Sequence, residues 1–267
     1  MNIPFTKAHG LRNDFLLTWA HEAPRNNLHV VARAICDRHS GVGADGWLLV
    51  APAKDGAPPS LRLFNPDGGE VEMSGNGTRC AAAFLCDAGL AAVEVAIQTG
   101  GGLKQLRLLE RRGLTFLFEM NMGRPAFEGD VSQDLALSEC TADLTIVNVG
   151  NPQCAVFVDH FDFDWRKLGA EIETHPMFPN RTNVSFVRTV DAHTIEARFY
   201  ERGAGATLSS GTGATGAVVS AIARGGVRSP VTIETEAGPL HFVWDGGDIL
   251  MRGPAEITAG GEFYFAE

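Results

Sequence analysis

One pattern occurs twice in this chain, about half its length apart, and that repetition constrains the fold more than any other feature. Asn65 to Cys80 reads N-P-D-G-G-E-V-E-M-S-G-N-G-T-R-C, after the strand-like Leu61–Phe64 and before a small, apolar stretch that predicts a helix over Ala81–Ala88. Arg198 to Ala217 reads R-F-Y-E-R-G-A-G-A-T-L-S-S-G-T-G-A-T-G-A: a strand, the charged pair Glu201 and Arg202, two glycine clusters, then a helix predicted over Ala214–Arg224. Ser74 follows Asn65 by nine positions, Ser210 follows Glu201 by nine, and the two serines lie 136 apart. Asn13 and Asn151 keep an offset of 138, as do Asp45 and Asn183, each ahead of an apolar strand. A two-fold internal repeat of this kind makes each half one structural unit with one glycine-opened helix. Buried helices whose N-termini open on glycine leave backbone N–H groups and the positive end of the dipole for an anion. A pseudo-symmetric pair facing one cleft would hold a small anion from both sides.

The composition narrows the function without identifying it. The chain has 267 residues, 45% hydrophobic and 20% charged, which is ordinary for a globular protein and long enough for two domains. A net charge of −10 argues against nucleic acid or an anionic membrane as partner. No apolar run approaches the roughly 18 residues of a membrane span, and Met1–Gly10 lacks the basic and apolar regions of a signal peptide. Five cysteines, odd in number and without a C-x-x-C pair, point to buried thiols in a reducing cytoplasm. None of the eight histidines falls in a ligand-like cluster and no carboxylates fall at metal spacing, so no metal is expected. No organic cofactor is implied either, because helix dipoles can supply the stabilisation a cofactor otherwise gives. The halves are drawn at residues 1–118 and 119–254, with a final strand of about 255–267 assigned to the first. Oligomeric state is left open, a homodimer included.

Two glycine motifs are decoys. Gly41–Gly46 matches G-x-G-x-x-G but follows a predicted helix, Leu28–His39, and precedes a strand, the reverse of the dinucleotide-binding order. Gly211–Gly216 matches too, but about ten residues separate it from its strand, and too little chain follows for a second nucleotide-binding half.

In order along the chain, the stretches His9–Phe15 (H-G-L-R-N-D-F), Arg38–Asp45, Phe64–Cys80, Asn121–Pro125, Gly150–Cys154 (G-N-P-Q-C), Phe178–Val184 and Glu201–Ala214 resemble the diaminopimelate epimerase family over almost the whole length. The resemblance implies an α+β fold of two pseudo-symmetric domains, each a curved, mostly antiparallel sheet wrapped around a central helix, with the active site in the cleft between them. It implies that Asn13, Asn65, Asn151, Asn183 and Arg202 hold an amino-acid substrate and its distal end. It also implies that Gly75, Asn76, Gly211 and Thr212 bind the reacting α-carboxylate through backbone amides. For Asn13 the residues alone leave a second reading open, an asparagine stabilising a turn through its own backbone. For Arg202 they leave an arginine that ties two loops together.

The departures from the family fall on the chemistry. Where the family carries a cysteine before each helix, this chain has Ser74 and Ser210, and the family's histidine in G-N-P-H-C is Gln153. Of that catalytic set only Glu201 remains; the family's glutamate after G-A-G is Ala206, and the alanine of N-A-D-G is Pro66. A thiol near pKa 8.5 is readily ionised at a helix N-terminus. A serine hydroxyl needs an adjacent base, and glutamine cannot accept a proton as histidine does. A laboratory replacement would explain the two serines but not Gln153, Ala206 and Pro66, which fit coordinated divergence. Three readings follow: an isomerase with altered proton chemistry in which Glu201 is the acid or base, an amino-acid epimerase working through Ser74 and Ser210, and a non-catalytic amino-acid-binding protein. For Glu201 the alternative is a plain ion pair with a nearby basic residue; for Asp67, Glu70 and Glu72 it is surface solvation.

Overall fold

The structure is a computed structural model that describes residues 1–265. It divides into two compact units: Met1–Met120 with the chain from Gly253 onward, and Asn121–Arg252. The elements run β1 (Asn2–Gly10), β2 (Asn13–Trp19), α1 (Leu28–Cys36), β3 (Gly46–Ala51), β4 (Ser60–Phe64), β5 (Glu70–Val71), α2 (Gly75–Asp87), β6 (Glu94–Thr99), β7 (Gly102–Arg112) and β8 (Thr115–Asn121). They continue with β9 (Ala126–Phe127), β10 (Gln133–Ala136), β11 (Thr141–Asn148), β12 (Pro152–Phe157), α3 (Trp165–Glu173), β13 (Asn183–Asp191), β14 (Thr194–Glu201) and β15 (Gly205–Thr207). Then come α4 (Gly211–Ala223), β16 (Val231–Thr235), β17 (Gly238–Val243) and β18 (Leu250–Tyr264).

In the first unit, β1 pairs antiparallel with β2, β2 parallel with β3, and β3 antiparallel with β4. β4 meets β6 in parallel, and β6, β7 and β8 form an antiparallel meander. β18 pairs with both β8 and β1, which closes the circuit. A closed sheet has no free edge, and its interior is filled by α2. Every residue of that helix from Gly75 to Cys86 is buried, which is why its sequence is small and apolar rather than amphipathic. α1 lies on the other face: Val31, Ala32, Ile35 and Cys36 recur at helical spacing and pack on Leu16, Trp47, Leu49 and Phe64.

The second unit repeats this plan strand for strand. β11–β12 is antiparallel, β12–β13 parallel, β13–β14 antiparallel, β14–β16 parallel and β16–β17 antiparallel. β17 pairs with the start of β18, Ile249 exchanges backbone hydrogen bonds with Met122 and Gly123, and β9, which follows them, lies against β11. α4 is buried from Gly211 to Ala221, and α3 packs Trp165 and Ile172 against Phe186 and Val184.

The buried helices begin earlier than the residue pattern predicts, α2 at Gly75 rather than Ala81 and α4 at Gly211 rather than Ala214. The glycines are the first helical turn, not a loop before it. Ser74 (φ −131°, ψ 128°) and Ser210 (φ −136°, ψ 125°) are the N-caps, and each hydroxyl accepts from the backbone N–H three residues on. α1 is shorter than predicted, ending at Cys36, because the Asp37 carboxylate accepts from the N–H groups of His39 and Ser40 and turns the chain. Of the cysteines, Cys36, Cys80, Cys86 and Cys154 are buried free thiols, as expected, whereas Cys140 is exposed.

Gly77 and Gly213 are repeat equivalents in unlike surroundings. A Cβ at Gly213 would stand 2.8 Å from Phe199 Cδ1 and 3.0 Å from Ser210, whereas at Gly77 the nearest atoms are Ser74 Cβ at 3.3 Å and Phe15 Cζ at 3.4 Å. Alanine is otherwise the better helix former. Thermal denaturation is therefore expected to place Gly77→Ala within about 1 kcal/mol of the wild type and Gly213→Ala at a loss of about 1–3 kcal/mol.

Candidate functional site

The first half-site is the N-terminus of α2. The Ser74 cap takes the N–H of Gly77 at 3.2 Å, and Thr78 N bonds the Ser74 carbonyl, so the N–H groups of Gly75 and Asn76 are not used by the cap. Asn76 is buried, and its Nδ2 donates to Asn13 Oδ1 at 3.2 Å. Asn13 Nδ2 donates in turn to Asp45 Oδ2 at 2.8 Å. Asp45 and Asp14 share the guanidinium of Arg38, and Lys7 is 3.0 Å from Asp14. Arg38 and Lys7 hold Asp14 below the usual carboxylate range although burial acts the other way. The asparagine does not merely stabilise its own turn; its side chain links the start of β2 to the helix.

Behind Asn76 lies Arg79, which is fully buried. Its guanidinium donates to Asn76 Oδ1 at 2.5 Å, to Pro254 O at 3.1 Å and to Gly75 O at 3.4 Å. Burial pulls its pKa down to about 10, so it is still a cation at neutral pH, fixed one turn inside the helix start. Nothing in the residue pattern flagged Arg79, because an arginine inside a buried helix is rare unless paired. Asn65 sits at the end of β4 in a turn closed by Gly68 N and Gly69 O. Pro66 is exposed in the same turn. Glu70 forms a two-point ion pair with Arg62, and Asp67 and Glu72 are exposed.

The second half-site is the N-terminus of α4, and here a carboxylate joins it. Ser210 Oγ accepts from Gly213 N at 3.1 Å and donates to Glu201 Oε2 at 2.9 Å. Glu201 Oε1 accepts from Thr207 Oγ1 at 2.7 Å. The two hydroxyls replace the cation that a plain ion pair would require. Burial of the carboxylate raises its pKa, and the Thr207 and Ser210 hydrogen bonds oppose that rise without cancelling it. Position 206, on the neighbouring β15, carries an exposed alanine. Asn151 Nδ2 donates to Thr212 Oγ1 at 3.3 Å and its Oδ1 accepts from Gln153 Nε2 at 2.7 Å. Gln153 is buried against Gly216 of α4.

Asn183 bridges two strand ends, donating to Pro152 O at 2.9 Å and accepting from Arg202 N at 3.0 Å. The Arg202 guanidinium is exposed and donates to Asn180 O at 3.2 Å. It does tie one loop to another. Next to it Glu173 is buried and occupied, bonded to Arg181 at 2.6 Å and to Gly203 N at 2.9 Å. Among the described residues no three His, Cys, Asp or Glu side chains gather closely enough to hold a metal ion, and no helix is long and apolar enough to cross a membrane.

Two like units, each a sheet closed around a buried helix with a serine-capped, glycine-opened N-terminus, define a two-domain α+β fold. The sequence model described as diaminopimelate epimerase matches residues 5–128 and 145–258. The diaminopimelate epimerase of Azoarcus sp. (strain BH72) is 42% identical over 98% of this chain and 99% of its own. That of Pelotomaculum thermopropionicum is 38% identical over 97% and 98%. A hydroxyproline epimerase from Agrobacterium vitis, solved with bound trans-4-hydroxy-L-proline, superposes with a TM-score of 0.74 at 16% identity, over 98% of this chain and 92% of that one. This chain belongs to the diaminopimelate epimerase family.

Glu201 is more readily protonated folded than unfolded, so its ionised form works against the fold. The sign follows: as pH falls through its raised pKa toward the ordinary carboxylate value, the folded state takes up the proton and that penalty disappears. Glu201→Gln is accordingly expected to raise the thermal midpoint at pH 7 and to lose most of that advantage by about pH 4, near the ordinary carboxylate value. A midpoint difference independent of pH would contradict the desolvated carboxylate.

Proposed function

We propose that this chain is an isomerase-family enzyme that binds an amino acid or amino-acid-like carboxylate and moves a proton on it with Glu201, not with a pair of thiols. The observation that carries the reading is the hydrogen-bonded pair Glu201–Ser210 at the start of α4. A carboxylate serves as base near neutral pH when burial raises its pKa, and Glu201 is raised by burial. Ser210 Oγ accepts from one backbone N–H and donates to Glu201, which leaves a lone pair for a substrate proton. In the proposed step, Ser210 takes the α-proton as it passes its own to Glu201; alternatively, Glu201 takes the α-proton directly. The electron pair left on the α-carbon is drawn into the α-carboxylate, whose charge the Gly211 and Thr212 amides and the helix dipole stabilise. Protonated Glu201 then returns the proton to a carbon of the substrate or to a departing group.

Ser74 argues against inversion by two equivalent acid–base groups. Among the described residues its hydroxyl is recorded only accepting from Gly77 N, with neither a carboxylate nor an imidazole on it. The first half-site is therefore assigned to binding: Gly75 and Asn76 offer backbone amides, and the Arg79 cation stands behind them. Asn13, Asn65, Asn151, Asn183 and Arg202 are assigned to the rest of the ligand, with Arg202 on a distal carboxylate, a group that suits a fixed guanidinium. The curated relatives are named for diaminopimelate, which makes that compound the first ligand to try.

Incubation in D₂O with diaminopimelate and a panel of amino acids separates the readings. Solvent deuterium entering a product in a proton shift or elimination supports the proposal. Rapid stereoinversion with α-exchange returns the chain to ordinary epimerisation, and ligand-induced stabilisation with no exchange makes it a binding protein. Glu201→Gln is expected to abolish turnover, a loss of at least about a thousandfold, while ligand affinity stays within about tenfold. Full activity in that variant removes Glu201 from the mechanism.

A further inference from the structure

Gln153 stands beside the second half-site without any proton chemistry to offer, and its surroundings give it a different task. Each unit has an asparagine at or just before the start of a central strand, Asn13 at β2 and Asn151 before β12, bonded to the second residue of the buried helix, Asn76 or Thr212. An amide bonded on one side only can turn over, exchanging its donor and acceptor ends. In the first unit Asp45 prevents this, because the carboxylate accepts from Asn13 Nδ2 and can bond no other end of the amide. The repeat equivalent of Asp45 is Asn183, which is engaged elsewhere, with Pro152 O and Arg202 N. Asn151 has lost that partner, and Gln153 Nε2 supplies another at 2.7 Å, from the opposite side.

We propose that Gln153 is a positioning residue: the hydrogen bond between its amide and that of Asn151 holds the Asn151 side chain in place and, through Asn151, ties the start of β12 to Thr212 in the first turn of α4.

A second observation sets this apart from ordinary core packing. Gln153 is 1% exposed, and its Oε1 is buried with no hydrogen-bond partner among the described residues. A buried, unsatisfied acceptor lowers stability, so an apolar side chain of similar size would serve the fold better. α4 even carries a glycine where the side chain lies, since a Cβ at Gly216 would come within 2.8 Å of Gln153 Cβ and 3.0 Å of its Cγ. The helix leaves room for this side chain, and what its amide contributes there is the hydrogen bond to Asn151.

The proposal rests on the preceding section only in taking Asn151 to meet the ligand, and one readout does not need that. In the ligand-free protein, the Asn151 side-chain NH₂ pair can be identified in a ¹⁵N–¹H spectrum by its loss in Asn151→Asp. Gln153→Leu is expected to hold or raise the thermal midpoint, to shift that NH₂ pair toward the values of exposed asparagines, and to weaken calorimetric affinity for diaminopimelate by about tenfold, the equivalent of one hydrogen bond. Gln153→His, which keeps a ring N–H able to donate, is expected to restore both. The near-isosteric Gln153→Glu, which only accepts when ionised, is expected to turn the Asn151 amide over and so to move the same NH₂ pair if leucine does not fit. An unmoved Asn151 resonance in the leucine and glutamate variants overturns the proposal, as does a falling midpoint with unchanged affinity. If the wild type does not bind diaminopimelate, that result counts against diaminopimelate as the ligand, and the ligand-free spectrum still decides the role of Gln153.

Discussion

The Ser210 hydroxyl is held on two sides, by the Gly213 N–H whose hydrogen bond it accepts and by the Glu201 carboxylate to which it donates. The second half-site depends on that double engagement. As an N-cap, Ser210 starts α4 at Gly211 and leaves the Gly211 and Thr212 amides outside its own hydrogen bond. As a donor, it holds a desolvated carboxylate against the positive end of a helix dipole. The surrounding sheet makes this possible by burying the helix, since only an environment poor in water raises Glu201.

The two units share topology and cap geometry but not chemistry. At the start of α2 the same cap has no carboxylate on it, and the charge nearby is the buried Arg79 cation. One half thus concentrates donors and positive charge, while the other adds a proton acceptor. The same asymmetry extends to the asparagines, with Asp45 orienting Asn13 and Gln153 bonded to Asn151.

Much of this was legible in the residues, for identifiable reasons. The repeat at offsets of 136 to 138 marked the two units, because each must present the same turn and the same glycines to close round its helix. Strand β4 announced itself as the short apolar run Leu61–Phe64 ahead of turn residues. The helix starts did not, since glycine has low helix propensity and only burial inside the sheet makes Gly75–Gly77 and Gly211–Gly213 helical. Closure of the first unit by β18 was only sketched as a final strand, because Gly260 and Gly261 interrupt any alternation there. Arg79 and the Asn151–Gln153 bond were invisible, one because burial reverses the usual expectation for arginine, the other because it depends on where Asn183 points.

The central claim is that Glu201 is a desolvated carboxylate poised on a capping serine. The most direct measurement is a pH titration of its side-chain carboxyl by ¹³C NMR, with Glu201→Gln identifying the resonance. The account predicts a midpoint clearly above the ordinary glutamate value of about 4.3, and a further rise in Ser210→Ala, which removes a hydrogen bond to the ionised form. A midpoint at or below the ordinary value, unmoved by Ser210→Ala, would contradict it.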